Sequence, residues 1–171
     1  TQAESSAASD VYKRQPRLPI GILTADCAPI LIFDKQKKMV AAIHAGWKGA
    51  YKGIISKVIN FMIKKGCEKK NIIAVIGPCI AQKSYNVKED FKRKFLKKDK
   101  RNKVFFKKRK NLIYFDLSKY VKLQLKLMKI TNLETINIDT FPKKNNFFSA
   151  RRSLHLNHDD YGRNISLIMI N

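Results

Sequence analysis

The chain has 171 residues, 44% of them apolar, and its 36 Lys and Arg against 13 Asp and Glu give a net charge of +23. That length suits one domain with a real core, and no apolar run approaches the roughly 18 residues a membrane-spanning helix needs. Three cysteines without a C-x-x-C pair argue against a disulfide framework and for a reducing, cytoplasmic setting. The charge suits a nucleic acid or an anionic surface. However, Lys, Asn, Ile and Phe are all abundant, as an AT-rich genome encodes, and the densest stretch, KRKFLKKDKRNKVFFKKRK at 92–110, carries no nucleic-acid motif. It is expected to be a solvated basic face.

In chain order, the Ser/Ala-rich start TQAESSAASDVYKRQ contains no apolar core segment, so 1–17 is expected to be a disordered or foreign tail and 18–171 the domain. PIGILTA, PILIFD and MVAAIHA predict three buried strands, the last two joined as a hairpin through DKQKK. In GAYKGIISKVINFMIKKG, Ile54, Ile55, Val58, Ile59, Phe61 and Met62 fall at helical spacing, and Gly66 ends the helix. NIIAVIG predicts a strand ending in the turn GPCIAQKSY, and VKEDFKRKFLKK an amphipathic helix. NLIYFDLSKYVKLQLKLMKI reads as an extended piece and then a helix capped by Asp116 or Ser118. ETINIDTF predicts a strand, NNFFSARRSLHLNHDDYGR a long polar loop, and NISLIMI a terminal strand. The sum is a mixed α/β (α+β) single domain, with a mixed central sheet flanked by helices.

Two residues stand out at the mouths of neighbouring strands, Cys27 and His44. Thiolate and imidazole are preferred zinc ligands, and the same pair serves as nucleophile and base. A packed cysteine beside an unrelated histidine is the commoner meaning of that spacing. Asp26 either orients a ligand, acts as a base or caps the turn. Trp47, the only Trp, reads as a core anchor more than as a stacking platform, and Cys67 and Cys79 as ordinary small residues.

The words around this pair, TADCAPILIFD, VAAIHAGWKGAYKGI, IGPCIAQKSYNV, FFSARRS and YGRNISLIMI, closely resemble the YfiH-type family from about residue 18 to 171. Its members are known as multicopper polyphenol oxidase (laccase)-like proteins and as purine nucleoside phosphorylases. The resemblance implies an α/β fold with one zinc-type site built from His, Cys and His, in which Cys27 and His44 match the cysteine and the second histidine. It also implies phosphorolysis of adenosine, inosine and methylthioadenosine, with adenosine deamination alongside, so the partners are purine nucleosides and phosphate, with no membrane. One Cys and a few His cannot build several copper centres, although copper could replace zinc. The family's first histidine lies upstream in a VHG-like segment that has no counterpart here, so the chain reads as an N-terminally truncated member.

Of the remaining histidines, His158 reads as part of a solvated loop and His155 as the candidate third ligand. Arg151, Arg152, Arg163 and Lys48 are the candidate phosphate and substrate contacts, because guanidinium forks match phosphate geometry. Gly46, Gly49 and Gly77 would allow backbone to approach a ligand. Two other readings stay open: a cysteine hydrolase or peptidoglycan-editing factor of the same fold, and a basic nucleic-acid-binding protein.

Overall fold

A computed structural model describes residues 10–14, 16–158 and 161–171. The first half comprises β1 (Asp10–Lys13), β2 (Ile20–Thr24), β3 (Ala28–Asp34), β4 (Met39–Ala45), α1 (Trp47–Tyr51), α2 (Ile54–Lys64) and β5 (Ile72–Ile76). The second comprises β6 (Asn86–Val87), α3 (Glu89–Lys98), β7 (Phe106–Arg109), β8 (Leu112–Phe115), α4 (Leu117–Leu127), β9 (Asn132–Thr135), α5 (Ala150–His155) and β10 (Asn164–Ile168).

The central sheet has the order β1-β4-β3-β5-β9. It is mixed, because β5 and β9 run parallel while the other pairs are antiparallel. The alternation of β3 and β4 explains their nearly unbroken apolar runs, since each is covered on both faces. Ile30, Ile32, Ala41 and Ile43 face the main core, which Ile55, Val58, Ile59 and Met62 of α2 complete. Leu31, Phe33, Val40 and Ala42 face the opposite way, against Ile20, Ile22, Ile168 and Ile170. The helix α2 begins at Gly53, whose φ of 83° is left-handed and separates it from α1.

Four findings depart from the sequence reading. The mixed α/β class holds, but among the described residues the strands form three sheets: β10 pairs only with β2, and β6, β8 and β7 make a small separate sheet. Residues 10–13, expected in the tail, add β1 to the edge of β4, where Tyr12 stacks on Phe61 with ring centroids 4.0 Å apart. Residues 1–9 and 15 lie outside the described residues. The expected polar loop at 145–163 contains α5, capped by the Ser149 hydroxyl accepting from the Arg152 amide, while of the expected strand ETINIDTF only Glu134 and Thr135 lie in β9, with Asp139 making an isolated bridge to Cys79.

The basic stretch is amphipathic. Its lysines face solvent, while Phe95 and Phe105 join Phe115 and Tyr120 in a buried aromatic cluster. Phe95 sits at its centre, fully buried, with ring centroids 4.8 Å from Phe91, 4.9 Å from Phe115 and 5.1 Å from Tyr120. On the opposite side, Leu23, Ile165, Leu167 and Met169 form an exposed apolar row on the outer face of β2 and β10. Truncating Phe95 leaves a cavity that the surrounding rings cannot collapse into. Phe95→Ala is therefore expected to cost about 3–5 kcal/mol, measured by chemical denaturation.

Candidate active site

The antiparallel pairing of β3 and β4 aligns Ala28 with Ala45 and Pro29 with His44. One step further, where both strands end, Cys27 faces Gly46. A Cβ built on Gly46 would lie 2.8 Å from the Cys27 sulfur and 4.0 Å from His44 Nε2. The glycine is thus required by space, not by dihedral angle, for its φ is an ordinary −70°. The hairpin that the sequence predicts therefore brings Cys27 and His44 together about a glycine that leaves the gap between them open.

Asp26 fixes the turn that carries Cys27. Its φ of 81° is unusual for a residue with a side chain, and the residue is 9% exposed. Its carboxylate accepts hydrogen bonds from Thr140 Oγ1 (2.7 Å), Ser149 Oγ (3.0 Å) and the Arg151 amide (2.7 Å). The backbone carbonyl of Asp26 also accepts from the Ile80 amide. Three donors engage both carboxylate oxygens, so its observed work is to tie the first turn of α5 and the Thr140 loop to Cys27. Asp139 makes a second knot of this kind, accepting from the Ala81 and Phe141 amides and from Ser84 Oγ.

Beside Cys27 lies a cavity of about 180 Å³ whose walls include Asp26, Trp47, Tyr85, Arg151 and Leu154. A more open cleft of about 880 Å³ shares Trp47, Tyr85 and Arg151 with it and continues along Asn86, Phe91 and Lys94. Tyr85 was not singled out from the sequence. Its signal was its place in the quoted SYNV segment, and only the fold shows that it reaches the cysteine.

The candidate cations separate. Arg151 alone of them lines both cavities. Its guanidinium lies 5.3 Å over the Tyr85 ring and donates through Nη1 to Asn86 Oδ1 (2.6 Å) and to the Asn86 carbonyl (3.0 Å). Arg152 instead donates to the carbonyls of Thr140, Phe141 and Phe147, which holds the loop together. Arg163 is exposed, stacked 4.0 Å over Tyr161, and donates to the Tyr161 and Gly162 carbonyls. Lys48 is exposed, with Nζ 5.6 Å from the Trp47 ring. His155 presents its ring edge-on to Phe141 at 5.5 Å, and His158 is exposed. Trp47 is half-buried and packs 4.8 Å from Phe91. Gly77 is close-packed, since a Cβ there would lie 2.8 Å from Pro29, and Gly49 is buried in α1.

Burial is the main influence on the titrating groups. It pushes the Cys27 thiol up to about 11, with the Asp26 charge adding to it, and lowers His44 below its ordinary value. The same burial raises Tyr85 and pushes Cys79 up to about 12. At neutral pH the pair is therefore a neutral thiol and a neutral imidazole. That is the state from which a cation would draw a proton to make a thiolate ligand.

Sulfur and imidazole nitrogen suit zinc, but catalytic zinc usually takes three protein donors. No group of three His, Cys, Asp or Glu is gathered among the described residues. These residues do not complete a zinc centre.

The sequence matches the family model for multi-copper polyphenol oxidoreductase laccase over residues 2–171, and the chain belongs to this family. A Rickettsia conorii protein named purine nucleoside phosphorylase is 41% identical over 150 residues, covering 86% of this chain and 61% of that relative. A second protein of that name, from Bacteroides thetaiotaomicron, is 33% identical over 81% of this chain and 53% of its own length. The crystal structure of the hypothetical protein YfiH from Bacillus licheniformis superposes with a TM-score of 0.84 at 28% identity, over 95% of this chain and 61% of that one. The chain thus spans about three fifths of the length of the relatives it matches.

Two outcomes follow from this geometry. Asp26→Ala strands two hydroxyls and one amide without an acceptor, at about 1–3 kcal/mol for each buried group. It is expected to lower the denaturation midpoint strongly and to loosen α5, seen as faster amide exchange there. In metal-free protein, Cys27 is expected to alkylate slowly at neutral pH. The rate should climb as pH approaches 11, whereas a free cysteine has its midpoint at about 8.5. Iodoacetamide labelling followed by mass spectrometry reads this.

Proposed function

We propose that the protein is a purine nucleoside phosphorylase acting on adenosine, inosine and methylthioadenosine, with the Cys27–His44 pair marking its reaction centre. The observation that carries this reading is the convergence of Cys27 and His44 about Gly46, beside a cavity walled by Arg151, in a family whose relatives bear that name. The 180 Å³ cavity is below the usual size of a ligand pocket, and the 880 Å³ cleft is within it. The reacting centre would occupy the inner space and the remainder of the nucleoside the outer one, against Trp47.

The roles follow from the side chains. Arg151 holds phosphate beside the ribose, its fixed fork suited to two phosphate oxygens. A phosphate oxygen attacks C1 of the ribose as the bond to the base breaks, and the departing base takes up the proton that hydrogen phosphate gives up as the ester forms. Tyr85, kept protonated by burial, lines the same cavity and is the hydrogen-bond donor proposed for that base. Zinc, or copper in its place, would take Cys27 and His44 as ligands together with a donor from outside the described residues. Adenosine deamination, the side activity of this reading, would draw on the same metal to activate water.

The cysteine-hydrolase reading calls for a thiol with a lowered pKa beside a protonated histidine, opposite to the shifts at Cys27 and His44. The nucleic-acid reading needs a free basic face. Within the basic region Lys92, Arg93 and Arg101 are paired with Glu89, Asp90 and Asp99, and the other cations are exposed, so that reading stands on charge alone.

Release of free base from adenosine or inosine, followed with and without inorganic phosphate, tests the proposal. Turnover is expected to require phosphate, and Cys27→Ala and His44→Ala are each expected to reduce it to background while leaving the denaturation midpoint close to that of the parent. Phosphate-independent release, or full activity in either variant, would overturn it.

A further inference from the structure

Arg151 stands in the wall common to the two cavities, and its backbone and side chain are held by different partners. The amide is fixed by Asp26, which places the residue on the first turn of α5. The guanidinium is fixed by Asn86, at the start of β6, which takes both hydrogens of Nη1 on its side-chain and backbone oxygens. Tyr85 supports the guanidinium plane from below. Among the described residues, Nε and Nη2 of Arg151 have no hydrogen-bond partner, although the residue is only partly exposed. In Arg152, by contrast, Nη1 and Nη2 both end on carbonyls.

An arginine that is clasped on one arm while its other donors remain open is preorganised. Its rotamer entropy is lost on folding, not on binding, and the open edge keeps the geometry that reads two oxygens of an anion. We infer that Asn86 is a positioning residue: its side chain orients Arg151 so that the free edge of the guanidinium meets phosphate at the junction between the inner cavity and the outer cleft. This rests on the phosphorylase reading. It makes Asn86, 65 residues from Arg151 in the chain, a determinant of phosphate affinity without contacting phosphate itself.

Trp47, the only tryptophan, lines both cavities, so its emission can report inorganic phosphate titrated into the full chain. Asn86→Ala is expected to weaken phosphate binding about tenfold, the scale of a lost hydrogen bond to a charged group. KM for phosphate should rise by the same factor while KM for the nucleoside stays within about twofold, since only the anion meets the guanidinium edge. In an Arg151→Ala background, Asn86→Ala should change neither quantity further, because coupled residues are not additive. Equal losses for phosphate and nucleoside, or additive losses in the double variant, would show a general structural role and overturn the inference. If the parent binds phosphate and Asn86→Ala binds it equally well, the inference falls and the phosphorylase reading stands. A parent chain that neither binds phosphate nor releases base from a nucleoside overturns that reading, and this inference with it.

Discussion

The Asp26 carboxylate is the point on which the site depends. It gathers donors from residues more than one hundred positions away in sequence, Thr140, Ser149 and Arg151, onto the turn that bears Cys27. Without that acceptor, β3 and β4 would still pair, because their register is set by two buried faces. The first turn of α5 and the Thr140 loop, however, would lose their ties to the turn that bears Cys27, leaving the Arg151–Asn86 clasp and the Asp139 knot to hold them. The left-handed backbone of Asp26 is part of the same arrangement, since it is held by the hydrogen bonds it makes possible.

Two levels of construction are therefore distinct. The hairpin of β3 and β4 brings sulfur and imidazole together by register alone, with Gly46 sparing the space between them. The polar knots at Asp26 and Asp139 then bring the later half of the chain over that pair and build the cavity wall. The first level rests on apolar burial and the second on buried carboxylates that each accept three hydrogen bonds. Burial also sets the charge state of the centre, leaving a neutral thiol and imidazole whose reactivity depends on what cation or substrate arrives.

Much of the first level was legible in the sequence. The strand pair, α2, α4 and its Asp116 cap, and the nearness of Cys27 to His44 follow from apolar runs, a turn and strand-end placement. What was not legible depends on partners distant in the chain. Arg151 and Arg152 are neighbours of the same type, and nothing local says that one lines a cavity while the other holds carbonyls. Tyr85 and Asn86 sit in a turn of no obvious pattern and acquire meaning only when β6 is laid beside β8. The strand β1 escaped notice because four residues with a single aromatic contact carry little periodicity. The helix α5 escaped because six residues are too few to show one.

The exposed apolar row of Leu23, Ile165, Leu167 and Met169 gives the molecule a colloidal character that its fold alone does not convey. A protein of net charge +23 repels its own copies at low ionic strength, and that repulsion keeps such a row in water. Physiological salt shortens the reach of the repulsion to about 8 Å. Sulfate and phosphate, which strengthen apolar association as well as screening charge, work on both sides of this balance. Association of this chain through the outer face of β2 and β10, away from the site, is therefore expected to respond to ionic strength more than to pH.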